Sequence, residues 1–348
     1  MKSPTLHDVA RSAGVSYSTA DRVLNGRGGV AEKSAQRVQR AIEELGYRRD
    51  IHAANLSRRR NYRFLFLLPR GDHGFFTVLR EALSRETVRR MVDRLVITHR
   101  EIPAFDAEAL AAELDRITPE DFDCVALIGV DSAALDTSIR RLVENRLPVI
   151  TLVSDSASEL RQTYIGIDNV IAGRTAGRLM RLTHRGRTGK IQPILGTLGV
   201  RDHRDRLQGA TEVITVPGSG LEILPPIEVQ DRPEIMLGRL SDILQGDPGI
   251  TGIYSIGGGN RGLIELLDSI PGPRPVAVLH ELTPHSRAAL ERGVIDAVID
   301  QKPAEEISRA IDAMRAIADD LPAPDSRVVP TIYLADNLPD QNANGEWM

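Results

Sequence analysis

Two hydrophobic periodicities divide the chain. Over the first 45 residues, apolar positions recur every three or four residues, as along one helix face. Leu6, Val9 and Ala10 form the first set behind Thr5, whose hydroxyl suits an N-cap. Gly14 breaks it, and Val15 follows. Ala20, Val23 and Leu24 form a second set behind Ser16, ending at Asn25-Gly26. Two short helices around an Ala-Gly-Val turn make a helix-turn-helix. A third helix from about Ala31 to Leu45 turns Ala35, Val38, Ile42 and Leu45 to one side, and Gly46 closes it. From Asp50 to Arg60 the pattern fades to a weak helix or linker ending in Arg58-Arg59-Arg60.

From Tyr62 onward, apolar runs alternate with amphipathic stretches. The expected strands are Phe64–Pro69, Leu95–Arg100, Cys124–Val130, Val149–Val153, Tyr164–Ile167, Ile191–Gly196, Ile223–Val229, Gly252–Ile256, Val276–Leu279, Ala297–Asp300 and Val328–Leu334. Helices such as Phe76–Met91, Ala107–Ile117, Val170–Leu182 and Pro303–Ala318 lie between them. Regular βα alternation means α/β architecture, with parallel sheets covered on both faces. Eleven strands fit two doubly wound subdomains better than one. The tail from Asp336 is polar and carries no heptad.

Composition narrows the class. Of 348 residues, 41% are hydrophobic, enough for a sizeable core and too many for a disordered chain. The single cysteine, Cys124, excludes an intramolecular disulfide framework and a cysteine metal cluster. No apolar signal core follows Met1, and no apolar run approaches the ~20 residues of a membrane span. A soluble, cytoplasmic protein without membrane attachment is expected. Charge is unevenly shared. Residues 1–61 hold 12 Lys/Arg against 6 Asp/Glu, a net of +6, while the whole chain carries −4, so the remainder carries −10. A basic head on an acidic body points the head at a polyanion.

The head also carries a motif. Thr5-Leu6-His7-Asp8-Val9-Ala10, Ala13-Gly14-Val15-Ser16, Thr19, Arg22-Val23-Leu24-Asn25-Gly26 and Glu44-Leu45-Gly46-Tyr47, with Ala53 and Leu56, resemble the signature of lactose-repressor-type transcription factors. The body resembles that family's ligand-binding part, which is similar to periplasmic sugar-binding proteins. The resemblance implies a helix-turn-helix domain over 1–49, a hinge helix over 50–61 and a sensor over 62–348. Its two subdomains fall at about 62–161 with 302–326, and 162–301 with 327–340. It also implies a homodimer on double-stranded operator DNA, most often a repressor, controlled by a small effector.

In a helix-turn-helix the start of the second helix meets base edges. Tyr17 and Ser18 stand there and Arg22 lies one turn on, where it can chelate guanine. Thr5, Ser16, Thr19 and Asn25 suit phosphate contacts. Leu56 stands where the family wedges a leucine into the minor groove. For pairing of two copies, the helix after the first body strand offers Val78, Leu79, Ala82, Leu83 and Met91.

The effector cleft is expected at strand ends. Phe75 and Phe76 resemble an aromatic pair that packs on sugar rings. Arg204, five residues before Gly209, matches the family's ligand arginine, although a salt bridge to Asp202 or Asp205 is an alternative. Asn260, Glu281 and Gln301 end three further strands. Together they suit a sugar or polyol. Val153 replaces an aspartate common in relatives, which makes that side less polar.

Gly257-Gly258-Gly259-Asn260-Arg261-Gly262 also matches G-x-G-x-x-G, with Glu281 about twenty residues on. A dinucleotide- or sugar-acting α/β enzyme with a DNA-binding head is therefore the competing reading. The motif falls late in the chain, and no catalytic constellation, Walker lysine or histidine metal motif accompanies it. A non-enzymatic protein without metal or cofactor is expected.

Overall fold

The structure, a computed structural model, describes residues 4–24, 29–45, 61–71, 74–156, 159–230 and 232–340. The linker 50–60, Asn25 and Leu56 lie outside the described residues. Two compact units divide at Arg60/Asn61.

The first unit holds α1 (Leu6–Ala13), α2 (Tyr17–Leu24) and α3 (Glu32–Leu45). Thr5 caps α1 in a reciprocal box with Asp8, and Gly14 ends it at φ 60°. Val9, Ala10, Ala13, Ala20, Val38 and Ala41 make the core, flanked by Leu6, Val15, Val23 and Ile42. These small residues let three short helices approach closely. Leu24 stands outside that cluster, and Leu45, the last residue of α3, is 38% exposed rather than inward.

The second unit holds two sheets. The first contains β1 (Tyr62–Pro69), β2 (Leu95–Ile102), β3 (Cys124–Leu127), β4 (Val149–Leu152), β5 (Tyr164–Ile167) and β12 (Arg327–Val328), in the order β12-β5-β4-β3-β1-β2 and all parallel. The second contains β6 (Gly189–Leu195), β7 (Leu221–Ile223), β8 (Ile227–Glu228), β9 (Ile250–Gly257), β10 (Val276–His280), β11 (Ala297–Asp300) and β13 (Thr331–Tyr333). Its order is β13-β11-β10-β9-β6-β7, with β8 also on β6. Only β13 runs antiparallel, against β11.

Helices cover both faces, which is why the strands read as near-continuous apolar runs. On the first sheet, α4 (Gly74–Arg89) and α12 (Pro303–Ala318) pack on one side, and α5 (Ala107–Leu114) and α6 (Ala133–Glu144) on the other. On the second, α9 (Pro233–Gly246), α10 (Asn260–Ser269) and α11 (Pro284–Glu291) oppose α7 (Asn169–Thr183) and α8 (Arg201–Ile214).

Sheet membership moves the expected subdomain boundaries. β5 belongs to the first sheet, so the chain crosses after Ile167 rather than at 162. Arg327–Val328 likewise pairs with β5, and the last crossing precedes β13. The single strand expected over Val328–Leu334 divides around Pro330, and Ile223–Val229 divides around Pro225-Pro226. A proline gives no N–H to a ladder.

α7 and α8 touch backbone to backbone. A Cβ on Gly209 would lie 2.1 Å from the Val170 carbonyl oxygen, and one on Gly173 2.0 Å from that of Arg206. Gly209→Ala should therefore destabilise by about 1–3 kcal/mol through overpacking. Gly238→Ala, inside α9 with nothing within 4 Å of the new methyl, should stabilise by up to about 1 kcal/mol. Opposite shifts in chemical-denaturation midpoint test the pair, and a stable Gly209→Ala protein contradicts the close crossing.

Candidate functional site

In the head, the first turn of α2 faces outward. Ser16 Oγ accepts from the Thr19 N–H at 3.1 Å and lies 2.8 Å from both the Ser18 and Thr19 hydroxyls. Tyr17 is 47% exposed, with its ring 4.5 Å from His7. Ser18 and Arg22 are exposed, and only Ala20 of this helix is fully buried. The hydroxyl of Thr5 is engaged with Asp8, leaving it structural as well as exposed. The helix thus presents an aromatic ring, a hydroxyl and a guanidinium along one and a half turns. That set suits base edges in a major groove.

In the body, the C-terminal strand ends of both sheets face one cleft. The first sheet contributes Pro69, Ile102, Ile128, Val130, Val153 and Ser154, with Phe75 and Phe76 from α4 and Phe105 from the loop after β2. The second contributes Val200, Asp202 and His203 at the start of α8, Gly257 and Gly258 after β9, and Glu281 after β10. The free space is about 60 Å³, room for two or so water molecules. Several contacts cross the cleft. The Phe105 and His203 rings stand 6.1 Å apart, Arg201 Nη1 donates to the Ser156 carbonyl at 3.1 Å, and Arg204 pairs with Asp131.

Phe105, Val153 and Glu281 all hold positive φ, at 60°, 65° and 78°. Left-handed backbone is costly for such residues and concentrates where side chains must be aimed.

Behind the cleft lies a buried polar cluster centred on Arg206, which is 1% exposed. Its Nε donates to Asn169 Oδ1 at 2.7 Å, Nη1 to the Ile256 carbonyl at 2.9 Å and Nη2 to Gln301 Oε1 at 3.2 Å. Asp202 Oδ2 lies 3.9 Å from Nη2. Asp202 Oδ1, Gln301 Nε2 and both carboxyl oxygens of Glu306 are buried without a hydrogen-bond partner. Burial pushes the Glu281 carboxyl up to about 8, with Arg206 opposing and Asp202 and Asp300 reinforcing. Asp300 rises to about 6 by burial, although the Leu282 and Lys302 N–H groups hold its carboxylate. Glu306 is raised well above the usual range for the same reason, and burial lowers His203 and, further, His280. At neutral pH this region holds the Arg206 cation beside Glu281 and Glu306, which burial keeps protonated, and Asp300, which stays largely ionised.

The sequence-derived candidates separate. Phe75, Phe76 and Glu281 line the cleft. Arg204 does not: its guanidinium goes to Asp131 and the Leu198 carbonyl, and not to Asp202 or Asp205. Asn260 lines a second opening beside Glu281, of about 160 Å³, but its amide is tied to the His280 carbonyl at 3.0 Å and to Ser255 Oγ at 2.5 Å. Gln301 sits behind the cleft on Arg206, 1% exposed. Asp202, His203, Phe105 and Arg206 were missed. An Asp202/Arg206 pair at i,i+4 was the available signal.

The Gly-rich turn is accounted for by packing. A Cβ on Gly259 would meet Met236 at 2.8 Å, and one on Gly262 the Pro233 carbonyl oxygen at 2.6 Å. The dinucleotide reading gains nothing from it.

Comparison with known proteins agrees with this division. Residues 64–321 match the periplasmic binding protein domain, and residues 5–50 match the model of bacterial regulatory proteins, lacI family. The chain belongs to the lacI family of bacterial regulatory proteins. The regulator is 23% identical to the HTH-type transcriptional regulator DegA of Bacillus subtilis, over 68% of its own length and 67% of DegA. It is 32% identical to the maltose regulon regulatory protein MalI of Escherichia coli, over 43% and 42% respectively, so that match spans under half of MalI. Its body shares the fold of GanP, a glucose-galactose binding protein from Geobacillus stearothermophilus, at TM-score 0.72 and 18% identity, covering 80% of the regulator and 99% of GanP. The regulator is thus a sequence-specific DNA-binding transcription factor with a periplasmic-binding-protein-like sensor. Among the described residues no helix is long and apolar enough to cross a membrane.

Proposed function

We propose that the regulator is a cytoplasmic, homodimeric repressor without catalytic activity, whose operator affinity is set by a small sugar-class effector in the cleft. The narrowness of the cleft carries this reading. About 60 Å³ in this part of the cleft cannot admit a sugar, so a ligand seated there parts the contacts between Phe105 and His203, Arg201 and Ser156, and Arg204 and Asp131, while the adjoining openings at Asn260 and at Asp202 are roomier, about 160 and 550 Å³. Binding is then coupled to the subdomain angle, which reaches the heads through residues 50–60. A ligand shifts such an equilibrium by its differential affinity for the two forms. The maltose named for MalI and the glucose and galactose named for GanP favour the sugar class.

The test is a two-way titration. An effector found by thermal shift should change the Kd for a duplex selected from a random pool. The duplex should change the effector's Kd by the same factor. Effector binding with unchanged DNA affinity overturns the reading.

Two half-sites need two heads. Val78, Leu79, Ala82 and Leu83, offered above for pairing, are buried in their own subdomain's core. Exposed instead are Val88, Met91, Val92 and Val96, at the end of α4, the turn after it and the edge strand β2. A second copy of this chain is the proposed occupant of that patch. Val92→Asp should weaken dimerisation at least tenfold in sedimentation without lowering the melting temperature, since Val92 is 86% exposed. An undiminished dimer places the interface elsewhere.

A further inference from the structure

The ionisable side chains lining the cleft are carboxyl groups and one histidine. Among the described residues Asp106, Asp202 and Glu281 are there, and no Lys or Arg is. Asp106 already caps α5 through the Ala109 N–H. Asp202, 7% exposed, leaves Oδ1 unpartnered. The Glu281 carboxyl makes no hydrogen bond among the described residues, yet the left-handed backbone at Glu281 holds it at the cleft. His203 Nδ1 lies 2.9 Å from the Thr197 carbonyl and 3.3 Å from the Thr197 N–H; the shorter contact, to an oxygen that can only accept, favours the Nδ1–H tautomer, which leaves Nε2 an acceptor in a ring kept neutral by burial. The Ser154 hydroxyl is a flexible donor, and the Glu281 carboxyl donates one O–H while it stays protonated.

The nearest guanidinium and amide groups are already engaged on protein oxygens. Arg206 uses Nε, Nη1 and Nη2 on protein oxygens, Asn260 uses its amide on β10, and Arg204 is drawn to Asp131. Beyond Asp202, Arg161 is held bidentately by Asp155 at 2.6 Å and Arg201 by Ser156. Arg261 and His285 stand exposed at the outer rim of the neighbouring opening. A ligand supplying several N–H donors and a positive charge matches this lining. An ammonium is three donors and no acceptor.

We propose that the effector is an amino sugar or amino polyol, its ammonium seated between Asp202 and Glu281 and its C–H face against Phe75, Phe76 and Phe105. The assignment rests on the cleft being the effector site. Charge linkage supports it. Arg206 is the cation acting on Glu281, and Asp202 and Asp300 the anions; His203 and His280 are neutral, and Glu306 is protonated behind. An empty site therefore keeps Glu281 protonated to about pH 8, and an incoming ammonium releases that proton. Affinity for an alkylammonium should rise with pH below that point, by up to about tenfold per unit.

The experiment measures calorimetric Kd values on the full chain for D-glucosamine, D-galactosamine, D-mannosamine and 1-amino-1-deoxy-D-sorbitol, each against its hydroxyl parent. At least one amino compound should bind ten times more tightly than its parent. Glu281→Gln, which mimics the protonated acid, should abolish the preference, and Asp202→Asn should reduce it. The amino polyol should bind more tightly at pH 8.0 than at pH 6.5. A panel in which no amino compound exceeds its parent overturns the proposal, as does a preference that survives both substitutions. A neutral parent that binds best and shifts operator affinity overturns the amine while leaving ligand control standing. An amino compound that binds best without moving operator affinity supports the amine and removes ligand control.

Discussion

Arg206→Ala is expected to cost about 3–5 kcal/mol, the price of removing one partner from a buried charge network. For a body of this size that lowers the melting temperature by about 10 °C. The substitution strips Asn169 Oδ1, the Ile256 carbonyl and Gln301 Oε1 of their donors at once. It also leaves Asp202 and Glu306 buried without the cation beside them. Effector response should disappear with it, because Asp202 shares that cluster. Arg204→Ala is the control. Its pair with Asp131 is about two-fifths exposed on both sides, so its loss should cost under about 1 kcal/mol. Glu306→Gln should couple to Arg206→Ala by at least about 0.5 kcal/mol, because the two groups share one site. Equal melting temperatures for the two arginine variants would remove Arg206 from the centre of the cleft floor.

The contrast between these arginines shows what a sequence can carry. Two residues along a helix turn a side chain by about 200°, onto the opposite face. Reading Arg204 instead of Arg206 therefore exchanges a surface pair for a buried keystone. Glu281 was legible because its place at a strand's C-terminal end is fixed by α/β topology. Asn260 was equally well placed, yet its amide holds the turn to β10, a role only coordinates reveal. Phe105 gave no signal, being a single aromatic in a loop with no period around it. The apolar face of α4 was visible, but periodicity does not distinguish residues covered by their own sheet from residues left for a partner. Strand alternation survived because burial on both faces writes long apolar runs, and it failed locally where Pro225, Pro226 and Pro330 interrupt a ladder.

Operator affinity is expected to fall by about 10³–10⁵ between 50 and 200 mM salt, as for six to ten neutralised phosphates. The head carries +6 against −10 for the rest, so attraction to the duplex is confined to residues 1–61, doubled in a dimer. The first turn of α2 then divides the work. Arg22, exposed one turn after Tyr17 and Ser18, is placed for a base edge. Arg22→Ala should cost about 1–3 kcal/mol on the selected duplex, little on random duplex, and leave the salt slope nearly unchanged. Lys33→Ala, at the exposed start of α3, removes charge without a base contact. It should weaken both duplexes alike and flatten the slope by up to about one if Lys33 meets a phosphate. Anisotropy titrations at four salt concentrations separate these outcomes. A salt-independent affinity would deny the head its electrostatic role. An Arg22→Ala protein that loses both duplexes equally would move Arg22 from base reading to the phosphate backbone.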